Sequence, residues 1–222
     1  MPPAAATVAA GESLGSTRFG VIYADPPWRF EPYSRVTGMD RTAENHYPTM
    51  SVDALAALPL PAADDCVLFL WVTMAMLAPA MRLIEVWGFT HKSGHGWAKP
   101  RPGTGYWVRD NLELLLIATR GQPVAPAPGE QLPALIEAPQ GPHSEKPAAF
   151  AEMIERLYPA TPKLEMFARG APRPGWDVWG NETQPSERIA GSRSADTHYQ
   201  VFGRDYQTSS PARTDLKTGK SA

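Results

Sequence analysis

Residues 66–72 read Cys-Val-Leu-Phe-Leu-Trp-Val, seven apolar residues without a break. The run is too short to cross a membrane and too uniformly apolar for a strand with one wet face. It therefore reads as a strand buried on both sides, as in parallel sheets covered by helices. Similar runs occur at 19–24 (Phe-Gly-Val-Ile-Tyr-Ala), 112–118 (Leu-Glu-Leu-Leu-Leu-Ile-Ala) and 163–168 (Lys-Leu-Glu-Met-Phe-Ala), with a further strand expected inside 89–98 and a short one at 135–138. Helical signals lie between them. Ser51 can cap a short helix reaching Leu58, which Pro59 and Pro61 end, and residues 76–87 form a helix with Pro79 in its first turn, closed by Gly88. Pro147 starts a helix whose Phe150, Met153, Ile154 and Leu157 follow the i, i+3, i+4, i+7 spacing, and Pro159 stops it. Strands alternating with helices predict an α/β fold with a mostly parallel sheet and helices on both faces.

The organisation follows from where these patterns stop. Residues 1–17 are rich in Ala, Gly, Ser and Pro and are expected to be a disordered leader. Residues 18–185 form one catalytic-sized domain, and residues 186–222 are a polar, weakly patterned flexible tail. With 43% hydrophobic residues in 222, one domain can bury a sizeable core. A formal charge of −2 gives no global basic signature, so a nucleic-acid partner would have to meet cations gathered locally. Cys66 is the sole cysteine, which excludes an internal disulfide framework and suits a reducing compartment, so a cytoplasmic protein is expected. No stretch approaches 18 consecutive apolar residues, and no signal-peptide pattern opens the chain, so no membrane partner is expected.

The first strand ends on Asp25-Pro26-Pro27-Trp28. Open α/β sheets bind ligands beyond the carboxyl ends of their strands, which puts this tetrapeptide on the binding rim. Prolines carry no N–H, so the carbonyls of Pro26 and Pro27 are expected to face outward as acceptors beside the Asp25 carboxylate. Trp28 offers a face on which a base could stack, worth roughly 1–3 kcal/mol. Acceptors facing an aromatic plane suit an exocyclic amine. Such a nitrogen is a poor nucleophile because its lone pair is delocalised into the ring. Hydrogen bonds from its two N–H groups to Asp25 and Pro26 would favour a tetrahedral nitrogen, aimed at a methyl donor held in line.

The donor must bind without the G-x-G-x-x-G fingerprint, which is absent. Candidate donor contacts are Lys146, just before the Pro147 helix, Arg169 after the last strand, and the Gly180-Asn181-Glu182 turn. A cation at a helix N-terminus is disfavoured by the dipole, so Lys146 is expected to face an anion. Lys92, Lys99, Arg101 and Arg109 occur with Trp97, Tyr106 and Trp107, a mixture suited to phosphates and stacked bases. His91 and His95 have i, i+4 spacing, but Gly94 and Gly96 argue against a helix there. No carboxylate or thiol cluster accompanies them, so no metal site is expected.

The tetrapeptide, together with His46-Tyr47-Pro48-Thr49-Met50, Leu68 to Val72, Trp97-Ala98-Lys99, Gly103 to Trp107, Ser144-Glu145-Lys146-Pro147, Met153 to Leu157, Glu165 to Arg169 and Trp176 to Asn181, resembles the MT-A-seventy family of N6-adenine methyltransferases. The likeness spans about residues 19–182. It implies a Rossmann-like methyltransferase fold in permuted order, with the acceptor motif ahead of the cofactor site. The matching positions imply Asp25 and Pro26 at the adenine amino group, Pro27 beside them, Trp28 and Tyr47 shaping the acceptor pocket, and Lys146, Arg169 and Asn181 on S-adenosylmethionine. Two departures stand out. Gly170-Ala171-Pro172 follows Arg169 where the family often has a His-Asn pair, and Glu182 stands where glutamine is common; its carboxylate could still accept from ribose hydroxyls. Trp97 and Lys99 complete the expected substrate contacts. DNA is the expected polymer, with RNA as an alternative, and a non-catalytic nucleic-acid-binding relative is a third reading.

Overall fold

The computed structural model describes residues 17–29, 49–103, 107–141, 145–170, 172–180, 182–183, 198–201 and 204–207. Strand β1 (Phe19–Ala24) lies at the centre of the sheet, parallel to β2 (Ala62–Thr73) on one side and to β6 (Lys163–Met166) on the other. Beyond β6 runs β8 (Trp176–Trp179), also parallel. On the other side β4 (Leu112–Arg120) is inserted antiparallel between β2 and β3 (Thr90–Ala98), and β5 (Leu135–Glu137) pairs parallel with β3. Strands β10 (His198–Val201) and β11 (Arg204–Gln207) form a hairpin whose first strand joins β5, giving the order β11-β10-β5-β3-β4-β2-β1-β6-β8.

Among these nine strands only β4 and β10 run against the rest, which agrees with the expected mostly parallel sheet. The reversal of β4 has a local cause. The segment joining it to β3, residues 99–111, has no helix in its described part, and a direct connection joins antiparallel neighbours. A separate pair, β7 (Arg169–Gly170) and β9 (Glu182–Thr183), stands off the main sheet. The run expected as one strand over 163–168 divides because Phe167 takes φ 62°, a left-handed conformation that breaks the ladder after Met166.

Among the described residues, three α-helices lie where the patterns place them. Helix α1 (Val52–Ala56) is capped by Ser51, whose hydroxyl accepts from the Ala54 N–H at 3.2 Å. Helix α2 (Leu77–Val86) follows a 3₁₀ turn at Met74–Met76 and stops at Gly88, whose φ of 79° suits glycine. Helix α3 (Ala148–Leu157) starts after Pro147.

Alternation along each strand sends residues to two cores. Ile22, Ala24, Leu68, Leu70 and Leu164 pack under α1 and α2, while Val21, Tyr23, Val67, Phe69, Trp71 and Leu115 pack under α3. The α3 side is aromatic. Trp71 stands edge-on to Phe150 at 4.9 Å, to Trp97 at 6.0 Å and to Tyr23 at 6.4 Å. Such edge-to-face pairs add about 0.5–1.5 kcal/mol each beyond their burial. Burial also pushes the Cys66 thiol up to about 12, so it stays an inert core thiol. Among the described residues, no helix is long and apolar enough to cross a membrane.

Candidate active site

The alternation that buries Val21 and Tyr23 under α3 also decides where Asp25 stands. The Asp25 N–H donates to the Met166 carbonyl at 3.4 Å, which prolongs the β1–β6 pairing by one residue and holds Asp25 on the rim. Helix α3 brings its lead-in across the same rim, and the Lys146 ammonium donates to Asp25 Oδ2 at 2.6 Å. Glu113, the second residue of β4, lies on the other side of that ammonium, with Oε2 at 3.4 Å, and its Oε1 pairs with Lys99. The four charges form one chain: Asp25, Lys146, Glu113, Lys99. Beneath them the indole rings of Trp71 and Trp97 make the floor. Lys146 Nζ lies 5.4 Å from the Trp71 ring centre, and Lys99 Nζ lies 4.9 Å from that of Trp97.

Burial works against the Lys146 ammonium, but the carboxylates of Asp25 and Glu113 outweigh it and hold the group above the ordinary lysine range. Glu165, one residue before the end of β6, behaves oppositely. Burial raises it above the ordinary carboxylate range, the nearby Asp25 carboxylate adds to that, and Arg173 opposes it. Arg173 is itself fixed by Glu155 of α3, which accepts from its Nε at 2.7 Å, from its Nη2 at 3.1 Å and from the Trp176 indole at 2.9 Å. This fork ties β8 and the turn before it to α3.

The prolines differ from the sequence expectation. The Pro26 carbonyl accepts the Trp28 N–H at 2.8 Å and the Pro27 carbonyl accepts the Met50 N–H at 2.8 Å, so neither is unpaired. A carbonyl oxygen has two lone pairs, which leaves Pro26 one for a ligand. Trp28 turns toward the other side of the sheet, packing partly buried on the α1–α2 core, with its indole N–H donating to the Trp71 carbonyl at 3.1 Å. Trp97 is fully buried and its indole donates to the Ala138 carbonyl at 2.9 Å. It therefore supports the floor rather than offering a face to a ligand. Tyr47 and Asn181 lie outside the described residues.

The residues expected to hold the donor follow β6, the strand paired with β1. The turn at Phe167 swings the chain off β6, so that Arg169 pairs in register with Glu182 in the small β7–β9 sheet. Gly180 makes this approach possible: a Cβ there would sit 2.6 Å from the Ala168 carbonyl oxygen and 2.8 Å from the Ala168 nitrogen. Acceptor and donor candidates thus meet at the carboxyl ends of adjacent strands. The basic cluster divides. Lys99, Arg101 and Arg109 stay at this rim, while Lys92 sits near the start of β3, roughly 20 Å away at strand spacing. Tyr106 lies outside the described residues.

The MT-A70 family model matches residues 19–182 of the chain, from the start of β1 into β9. The chain belongs to the MT-A70 family. It is 35% identical to the type II methyltransferase M.MunI of a Mycoplasma species over 193 residues, covering 79% of this chain and 82% of that one. It is 32% identical to the N(6)-adenosine-methyltransferase MT-A70-like protein of Drosophila melanogaster and 31% identical to the human N(6)-adenosine-methyltransferase catalytic subunit METTL3. Each of these two matches covers 74% of this chain and spans about a quarter of the relative, 27% and 28%.

MT-A70 chains are N6-adenine methyltransferases of the Rossmann-like fold, and use of S-adenosylmethionine follows from the family. The donor set suits that cofactor. Its amino-acid end carries both signs, and the rim offers the Lys146 cation with the Asp25 and Glu165 carboxylates close by. The sequence reading missed Glu113 and the part played by Glu165. A lone carboxylate inside Leu112-Glu113-Leu114-Leu115-Leu116 was the available signal, since an acid in an otherwise apolar strand must find a partner.

Proposed function

We propose that this protein transfers a methyl group to N6 of adenine in DNA. The observation that carries the reading is Asp25 on the rim, a carboxylate with a nitrogen cation at 2.6 Å, directly where an amine N–H would be accepted. Asp25 and the remaining lone pair of the Pro26 carbonyl take the two N–H groups of the amine, which frees its lone pair and stabilises the positive charge that develops on the nitrogen. Lys146 must yield that position to the acceptor. Glu113, 3.4 Å from the ammonium, holds it once it does. Without that compensation a cation beside the reacting nitrogen would oppose the same charge. Lys99 pairs with the other oxygen of Glu113 and orients the carboxylate. No strong base is required, because the methylated ammonium is acidic and releases its proton to water or to Asp25.

Lys146, Arg169, Asn181 and Glu182 would hold S-adenosylmethionine, which supplies an electrophilic methyl group when bound. Tyr47 shapes the acceptor pocket, Lys99 lines its polar side, and Trp28 braces the rim from the α1–α2 side of the sheet. DNA is favoured because the type II methyltransferase matches along most of both chains, whereas the adenosine methyltransferases match along about a quarter of their own length. The shared family keeps RNA as the second reading.

Expression in a methylation-deficient host followed by mass spectrometry of DNA and RNA nucleosides tests both. N6-methyladenine in DNA is expected, and methylation confined to RNA would overturn the polymer assignment. Failure of the purified protein to bind S-adenosylmethionine by calorimetry would favour a non-catalytic binding partner.

A further inference from the structure

Alternation along β2 carries one more side chain onto the face that holds Asp25. Trp71 packs in the α3-side core and Val72 in the opposite one, so Thr73, still extended at φ −80° and ψ 157°, returns to the Trp71 face. Its partner across the sheet is Glu113, which shares that face by the same alternation with Leu115. On the other side, the pairing of Ala24 with Leu70 sets Asp25 level with Trp71. Thr73 therefore stands on the strand between Asp25 and Glu113, its Cα about 8 Å from that of Asp25 at strand and sheet spacing. The Lys146 ammonium spans the same two carboxylates over the Trp71 ring, and Thr73 is the next residue outward on that face.

The Thr73 hydroxyl is uncommitted. The residue is exposed, its side chain does not cap the 3₁₀ turn that follows, and no described residue hydrogen-bonds to it. Neighbouring side-chain donors are engaged: Lys146 with Asp25 and Glu113, Lys99 with Glu113, and Trp28 with the Trp71 carbonyl. An adenine whose amine is seated at Asp25 and Pro26 has spent its donors on acceptors, and its ring has the opposite need. Flanking the amine are N1 and N7, lone pairs that accept and cannot donate, and a base entering the site gives up the water or pairing base that satisfied them. A neutral donor suits them better than a cation. Full positive charge at a ring nitrogen would draw the N6 lone pair further into the ring and weaken its attack on the methyl group.

We propose that Thr73 is a specificity-determining residue whose hydroxyl donates to a ring nitrogen flanking the amine of the target adenine, N1 or N7. Asp25 and Pro26 then recognise the amine, and Thr73 the acceptor beside it. The inference rests on the proposed adenine acceptor and deepens it by naming the group that reads the ring.

The test uses the full chain and single-stranded oligonucleotides carrying the methylated site found in the host, with adenine, 1-deazaadenine or 7-deazaadenine at the target. Each analogue replaces one ring nitrogen by C–H and keeps the amine. Thr73→Val, which keeps the shape and removes the hydroxyl, is expected to lower kcat/KM on adenine about 3–10-fold, the scale of one neutral hydrogen bond. The two deletions should not multiply: Thr73→Val should shrink the wild-type ratio of adenine to one of the analogues by that same factor, and Thr73→Ser should return it toward wild type. The melting temperature and the affinity for S-adenosylmethionine should stay at their wild-type values, which a merely structural role would move. Ratios left unchanged by Thr73→Val for both analogues overturn the contact and leave methyl transfer standing. A wild-type protein that methylates no adenine oligonucleotide overturns the proposed function, and this contact with it.

Discussion

Asp25→Asn separates chemistry from folding at the rim. The side chain of Asp25 is 37% exposed while that of Lys146 is 13% exposed, so the pair sits between a surface ion pair and a buried one. Surface pairs contribute about 0.2–1 kcal/mol, and breaking a buried pair costs about 3–5 kcal/mol. Here Lys146 keeps the Glu113 carboxylate at 3.4 Å, and the asparagine oxygen can still accept from the ammonium. The expected loss of stability is therefore about 1–2 kcal/mol, intermediate between those limits. For a chain of this size that lowers the melting temperature by roughly 2–8 °C. The effect on turnover should be far larger. Asparagine is neutral, so it loses the charge that stabilises the developing ammonium, and a positioned group of that kind is worth about 10²–10³ in rate. Single-turnover transfer of labelled methyl to an adenine-containing oligonucleotide, with a thermal melt on the same sample, measures both. Turnover within about fivefold of wild type would refute the role given to Asp25; that margin lies well under the scale above.

Three other perturbations probe the surroundings. Glu165 has its pKa raised by burial, so its contribution is fully present at pH values below the ordinary carboxylate range and is lost as pH rises through the raised value; Glu165→Gln should melt higher than wild type at neutral pH, with the advantage shrinking toward acid, and a pH-independent difference would contradict this. Phe150→Ala opens a cavity against Trp71 in the fully buried aromatic core and should cost about 3–5 kcal/mol, read from the urea midpoint. Gly180→Ala forces a methyl against the Ala168 backbone at 2.6 Å, so calorimetry should show weaker S-adenosylmethionine binding by about tenfold or more, scaled to about 1–3 kcal/mol of overpacking.

What the sequence carried, and what it did not, follows the range of the forces involved. Helix α3 was legible because the spacing of Phe150, Met153, Ile154 and Leu157 is a local signal, and β2 was legible because an unbroken apolar run needs covering on both sides. The reversal of β4 was not, since Leu112 to Ala118 looks equally apolar in either direction and only pairing decides. Asp25 and Lys146 were both singled out, yet their bond joins residues 121 apart, and no pattern within a strand or helix encodes it. The carbonyls of Pro26 and Pro27 were misread for a similar reason: their partners, the Trp28 and Met50 N–H groups, are set by how the chain returns to the rim. Trp28 and Trp97 have the same chemistry on paper, and packing alone assigns one to the α1–α2 side and buries the other.

The Lys146 ammonium 5.4 Å from the Trp71 ring makes the pocket floor an optical instrument. Indole emission responds to a charge held near the ring, so a ligand that draws Lys146 off Asp25 changes the colour or yield of Trp71 without any added label. Among seven tryptophans its share is isolated by comparison with Trp71→Phe. Stopped-flow fluorescence can then time the departure of the lysine against arrival of cofactor and of acceptor, and read the order of binding directly from the floor of the site.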